Sequence, residues 1–293
     1  MQALLASLAL RGAHSAQAGP GAKPLVLGIV PNLGPRSMLA VYQPLRMKLE
    51  VFLSRPVALF TAPDFFKFYN RTLAGEYDVA LMPAHLGRLA QIEGGLTPIV
   101  KFLPAQFGLV VVRKDSVIQS PADLRGKRIA LVDRIALVTL RGEDWLASEG
   151  GAIEPRNRPA RHYVYHNAAV EAVLNSHADA AIVSSGPFNT MPKEMREQVR
   201  ILTNMGEMPA NIFMAHPRLR VDEIAELRRV LLDFARQPGE LTGFFQRYRY
   251  NNIAAVEPSE LRALDRYAKR ARQVMQDLAR LTPEERVNES GGN

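Results

Sequence analysis

The sequence predicts an α/β protein of two domains, and three observations carry that prediction. Short apolar, β-branched runs alternate with segments of helical periodicity along most of the chain. The 293 residues suit two ordinary domains at roughly 100–200 residues each. With 47% apolar and 23% charged residues, the chain can bury a core, which excludes disorder of the whole.

Leu25 to Val30 reads as the opening strand, stopped by Pro31-Asn32. Met38, Val41, Leu45, Leu49 and Phe52 recur at helical spacing over 37–53, and Val57 to Phe60 is a short strand. Pro63-Asp64 is an N-terminal signal for the helix FFKFYNRTLAG, which Gly75 stops. Tyr77 to Met82 is a buried strand ended by Pro83, and His85 to Glu93 is a helix. This alternation predicts a mostly parallel sheet covered by helices. Phe107 to Val112 is a continuous apolar strand ended by Arg113-Lys114-Asp115. Ser120-Pro121 opens a turn of helix, Ile129 to Val132 is a strand, and 139–149 is helical, with Trp145 and Leu146 in the core. Val164 and Tyr165 form a strand edge, Ala168 to Leu174 a short helix and Ala178 to Val183 a strand. This second strand–helix–strand unit sits inside the first. Domain one is therefore expected over 24–112 plus 206–293, and domain two over 113–205. IFMAHPRL from Ile212 is a strand ended by Pro217, and amphipathic helices follow over Val221 to Arg236 and Pro258 to Leu281. The tail from about 282 is polar and aperiodic, the pattern of a disordered end.

Absent residues exclude whole classes of chemistry. Without cysteine there are no disulfides, thiolate zinc sites, cysteine nucleophiles or lipid-carrying N-terminal cysteine. The net charge of +8 invites a nucleic-acid reading, but the basic residues are interleaved with acids, as in Arg218 to Arg229, and no nucleic-acid motif accompanies them. A solvated basic surface is the reading adopted, with no nucleic-acid partner. Residues 1–18 read as a signal peptide: the apolar run MQALLASLAL precedes Ala16-Gln17-Ala18, whose small residues suit cleavage after Ala18. No Lys or Arg precedes that run, which departs from the usual basic opening. Export to the periplasm is expected. His162 and His166 would share one metal on a helix. The intervening Tyr163 to Tyr165 reads as strand, which separates them by about 13 Å at ~3.3 Å per residue, so neither a metal nor a cofactor is expected. No nucleophile elbow, phosphate-binding loop or recognisable carboxylate pair suggests catalysis.

Four segments together resemble one family. LGIVPN near the start, LAGEYDVALMPAHLGRLA, SPADLRGKRIALVD and YHNAAVEAVLNSHADAAIVSS are similar, in order and spacing, to stretches of the periplasmic substrate-binding proteins of phosphonate and phosphite ABC transporters. The resemblance covers about residues 24–250. It implies the type II periplasmic-binding-protein fold, in which two α/β domains with two hinge crossovers hold a ligand cleft between them. It also implies a monomer that captures a small phosphonate-, phosphite- or phosphate-like anion by hinge closure and delivers it to an inner-membrane ABC permease. A membrane sensor as partner, or a carboxylate or sulfonate as ligand, is the alternative on the same fold. Enzymes sharing the architecture fit less well: the porphobilinogen-polymerising type needs a cysteine, and the chorismate-dehydrating type is not ordinarily exported.

Ligands of open α/β sheets sit beyond the carboxyl ends of strands, where helix N-termini present free N–H groups. That places the site in the loops 31–37, 61–66, 83–86, 133–139, 165–168 and 184–187. The candidate ligand contacts are Asn32, Phe65, His85, Arg134, Thr139, His166, Asn167, Ser184 and Ser185. Several depart from the family pattern. The loop after Asp133 keeps Thr139 as its one hydroxyl and gains Arg134, which serves either as an anion clamp or as a solvated loop residue. His85-Leu86 replaces an aromatic, Asn167 follows His166 in place of an acid, and Ser184-Ser185 stand where an acidic or amide residue is common.

Overall fold

A computed structural model gives the structure, described for residues 23–149, 160–236 and 242–280. The expected signal peptide and the tail from 282 lie outside the described residues. The first lobe begins β1(Leu25–Ile29), α1(Pro35–Leu53), β2(Val57–Phe60), α2(Phe65–Leu73), β3(Val79–Pro83), α3(Ala84–Gly94), β4(Thr97–Leu103). The second runs β5(Gln106–Arg113), β6(Ile129–Leu131), α4(Leu137–Glu149), β7(Ala160–His162), α5(His166–Leu174), β8(Ala180–Ser184), α6(Ser185–Thr190), α7(Lys193–Glu197), β9(Val199–Met208). The chain then returns to the first lobe through β10(Asn211–Ala215), α8(Val221–Arg236), α9(Thr242–Tyr248), β11(Asn252–Ala255), α10(Pro258–Arg262) and α11(Asp265–Arg280).

Two sheets result, with strand orders β11-β4-β10-β3-β1-β2 and β7-β6-β8-β5-β9. The expected mostly parallel sheet is half right. β2, β1 and β3 pair in parallel, as do β7, β6 and β8, whereas β10 and β5 run antiparallel to their neighbours. The strands that adjoin the crossovers re-enter each sheet from the opposite end, so they cannot continue the parallel winding.

The crossovers themselves fall at Pro104-Ala105 and Pro209-Ala210, between β4 and β5 and between β9 and β10. The boundaries expected at 112/113 and 205/206 are therefore displaced. The polar Arg113-Lys114-Asp115 turn only ends β5, which already belongs to the second sheet. Each true crossing carries a proline, which has no N–H to extend a ladder.

Local chemistry accounts for the elements around the cleft. β3 and β8 are apolar along nearly their whole length because helices cover both faces. Asp64 caps α2 by accepting the Lys67 N–H at 2.6 Å, satisfying one orphan donor of the first turn. β7 ends at His162 and α5 begins at His166, so the strand edge expected at Val164-Tyr165 is a loop, and the two histidines do not share a strand. One apolar cluster runs through both lobes, joining Phe65, Leu86 and Ala271 to Val110, Leu131 and Ile182. The two halves are packed together over their cleft.

Candidate functional site

The cleft holds a partly open pocket of about 40 Å³. At 10–15 Å³ for each water-sized group this holds about three or four such groups. Its lining includes Asn32, Phe65, Pro83, Ala136 to Val138, His166, Ser184 and Pro187, so each of the six loops anticipated beyond the strand ends contributes at least one residue. Gln106, Met208, Pro209, Asn211, Tyr248 and Tyr250 complete it. No Lys, Arg, Asp or Glu is among these lining residues.

Positive potential comes instead from backbone. α2 begins at Phe65 and α5 at His166, α4 begins at Leu137 and Val138, and Pro83 is the N-cap of α3. The first N–H groups of a helix lack intrahelical acceptors, and the macrodipole places roughly half a positive charge there. Four helix starts of nine residues or more thus converge on one small volume, contributed by both lobes, although the leading N–H of two of them, Phe65 and His166, is taken by Asp133 Oδ2 and the Asn32 carbonyl.

His166 is the best-defined side chain in this wall. Its Nδ1 accepts the Ser184 N–H at 3.2 Å, and burial lowers its pKa from 6.5 to about 3. The ring is therefore neutral, and with Nδ1 accepting, the proton resides on Nε2. A neutral donor can address an anion without the penalty of burying a counter-charge. Gln106 is oriented similarly: its Oε1 accepts the Ser185 hydroxyl at 3.1 Å, leaving the NH₂ as the donor half. Gly186 permits this arrangement, since a Cβ there would lie 2.3 Å from Gln106 Oε1 and 3.0 Å from the Tyr248 ring.

Of the residues anticipated from sequence, Asn32, Phe65, His166 and Ser184 line the cavity, and the other five do not. His85 is buried on α3 and donates Nε2–H to the Ile135 carbonyl at 2.7 Å, binding lobe to lobe; its Nδ1 is buried without a partner. The Thr139 hydroxyl turns back on the Val132 carbonyl at 3.2 Å. Asn167 donates to Glu171 at 3.1 Å along its own helix. The Ser185 hydroxyl accepts the Phe107 N–H at 3.0 Å and so acts through Gln106. Arg134 is half-buried beside Asp133 and His162, whose pKa its charge helps to lower. The anion-clamp reading of Arg134 thus finds no place in the lining.

The lobes are joined across the cavity by three hydrogen bonds: Phe65 N–H to Asp133 Oδ2 at 3.1 Å, His166 N–H to the Asn32 carbonyl at 3.1 Å, and the His85–Ile135 bond. Asp133 went unnoticed in the sequence because its carboxylate accepts from backbone groups, Phe65 N–H and Ile135 N–H, the latter at 3.0 Å. Burial raises its pKa to about 6. Tyr248 and Tyr250 stack with ring centroids 5.3 Å apart, and Tyr250 stacks on Phe102 at 4.6 Å. They form an apolar wall supplied by a segment far along the chain.

Two α/β lobes joined by a pair of strands, closed over a small uncharged cavity ringed by helix starts, define a solute-binding protein of the type II periplasmic-binding fold. Residues 27–261 match the family model of the periplasmic substrate-binding protein of phosphonate ABC transporters, and the chain belongs to that family. Solved structures agree on the fold. The binding-protein component of an ABC phosphonate transporter from Pseudomonas aeruginosa is 15% identical, with a TM-score of 0.74 over 92% of this chain and 94% of that one. PhnD1 from Prochlorococcus marinus, solved in complex with methylphosphonate, is 12% identical, with a TM-score of 0.76 over 86% and 99%. The aliphatic sulphonate binding protein SsuA from Escherichia coli is 13% identical, with a TM-score of 0.60 over 92% and 97%. No described helix is long and apolar enough to cross a membrane.

Proposed function

We propose that the chain, exported to the periplasm and monomeric, captures a small phosphorus oxoanion with no tail or a one-carbon tail, such as phosphite or methylphosphonate. It closes its lobes over the ion and delivers it to a membrane permease without chemistry. The observation that carries this reading is the cavity: about 40 Å³, ringed by four helix starts and by neutral donors on Asn32, Gln106 and His166. A tetrahedral ion has four vertices, which matches that volume, and its oxygens need several donors at once. Phe65, Met208 and Tyr248 offer an apolar surface to a methyl group. A longer tail ending in an ammonium group would find no carboxylate in the lining, and burying an unpaired cation there is strongly unfavourable.

Calorimetric titration of the purified chain tests this with methylphosphonate, phosphite, 2-aminoethylphosphonate, methanesulfonate and acetate. Methylphosphonate or phosphite should bind at least about 100-fold more tightly than 2-aminoethylphosphonate, a difference of ~2.7 kcal/mol. Binding confined to the sulfonate or the carboxylate would overturn the proposal, as would equal affinity for the aminated phosphonate.

A further inference from the structure

The C-terminal helix α11 belongs to the first lobe but reaches the second. It is fixed on its own lobe by Ala268, Ala271 and Met275, all buried, by Asp265 on Arg88 of α3 at 2.6 Å, and by Arg272 on Glu93 at the end of α3. From that base, Arg270 extends to α4 of the second lobe. One of its terminal nitrogens donates to Asp144 at 2.6 Å and to the Leu140 carbonyl at 3.0 Å, and the other pairs with Glu143. Arg266 and the Tyr267 hydroxyl reach the second oxygen of Asp144 at 2.9 and 3.2 Å. The cluster therefore crosses between lobes, and it grips the helix whose first residues, Leu137 and Val138, line the ligand cavity.

We infer that Arg270, with Asp144 and Glu143, is a closure latch: positioning residues that hold α4 in the ligand-bound arrangement without touching the ligand. The inference rests on the proposed capture of a small anion by lobe closure, and adds the groups that set how long the closed form lasts. Arg270 has the geometry for the task. Its fork spans two carboxylates and a backbone carbonyl, which one ammonium group could not reproduce. Arg270, Glu143 and Asp144 are each about two-thirds shielded, with 32, 38 and 30% of the side chain exposed. They are screened less than a surface pair yet avoid full desolvation. Opening the lobes would separate these charges, whereas the ion pairs that anchor α11 to α3 would stay intact. Closed-form lifetime should therefore depend on Arg270 more than on Arg88.

The test measures methylphosphonate affinity and dissociation rate for the full chain and for Arg270→Met, Arg270→Glu and, as a remote control, Arg229→Met. Among the described residues, Arg229 pairs only within α8, with Glu226 and Asp233. For a network of three or four partly shielded contacts, Arg270→Met should raise Kd about 5- to 20-fold. The change should appear mainly in the dissociation rate. Arg270→Glu, which opposes two carboxylates, should raise Kd further, and Arg229→Met should leave it unchanged. A role in packing alone would not make the Glu variant worse than the Met variant. A Kd within twofold of the parent for both Arg270 variants overturns the latch.

The chain has no native cysteine, so Ser37→Cys and Glu194→Cys allow one spin label on each lobe. If the parent binds none of the anions, the ligand reading fails, and the unliganded inter-label distances then decide the latch separately. A wider distribution in Arg270→Glu than in the parent supports it, and identical distributions overturn it.

Discussion

Lowering the pH from 7 to 5 should remove about 4 kcal/mol of folding stability, and the buried histidines set that figure. Burial lowers His85 to about 4 and His166 to about 3, and burial with the Arg134 charge lowers His162 to about 3. A group whose folded pKa lies below its unfolded value of roughly 6.5 lends stability that is present above 6.5 and lost as pH falls towards the folded pKa. Between pH 7 and 5 each of the three loses nearly 2 kcal/mol at about 1.36 kcal/mol per bound proton and pH unit, and together between five and six. Asp133 acts in the opposite sense. Its folded pKa, raised to about 6, means that its contribution is greatest below the unfolded value near 3.8 and is lost as pH rises through 6. Acidification to pH 5 therefore returns about 1.3 kcal/mol, leaving a net loss of about 4. Against a typical total of 5–15 kcal/mol this is a large share. Urea unfolding at pH 7, 6 and 5, followed by the single tryptophan, measures it. His162→Leu should lessen the pH dependence by nearly half, about 2 of the net 4 kcal/mol, because it deletes one titrating group whose two ring nitrogens have no partner. A loss of less than ~1 kcal/mol between pH 7 and 5 would refute the reasoning, since it would mean that these rings bind protons while folded.

Two further outcomes follow from the cavity. His166→Ala removes a neutral donor facing an anion, a hydrogen bond worth ~1.5–3 kcal/mol, and should raise the Kd for methylphosphonate about 10- to 150-fold by calorimetry. Arg134→Ala should change that Kd by less than about threefold, because the lining does not include Arg134; a loss comparable to that of His166→Ala would return the arginine to the site.

How far the sequence could be read follows from what local pattern encodes. Much of the alternation of strand and helix, the Asp64 cap and the apolar faces of α8 and α11 are local properties and were legible residue by residue, whereas β4, β9 and β11 were not anticipated and the helix expected over Pro258 to Leu281 is split into α10 and α11. The crossovers were not legible either. The polar turn at 113–115 is a more conspicuous break than a lone proline after a strand, yet the proline marks the change of sheet. The loops of the site were legible because strand ends must deliver the cleft in an open α/β sheet. Side-chain roles within those loops were not, since one residue of helical phase decides them. Thr139 sits in the first turn of α4 and bonds backward to Val132, while its neighbours Leu137 and Val138 face the cavity. Tyr248 and Tyr250 lie more than a hundred residues from the loop after Asp133, and no short-range pattern connects them to it.

On the proposed reading, the absence of a cation among the described lining residues is the feature that bears most on selectivity. An arginine in the lining would pair with two oxygens of a carboxylate, sulfonate or phosphonate alike, and its desolvation would have to be offset by every ligand. A wall of helix starts and neutral side chains carries no such fixed charge, so affinity depends on how many donors reach oxygens at once. It also contains acceptors, in the Asn32 and Asn211 amides and the Ser184 hydroxyl. A singly protonated phosphonate or a phosphite can donate its P–OH to one of these, whereas a sulfonate has no proton to give and would leave that acceptor facing an oxygen. Buried polar groups left unpaired discriminate more strongly than a missing methylene does. On that reading the positive charge of the chain, +8 overall, would draw anions toward the molecule from outside the lining, and the donors and acceptors of the cavity would discriminate among them.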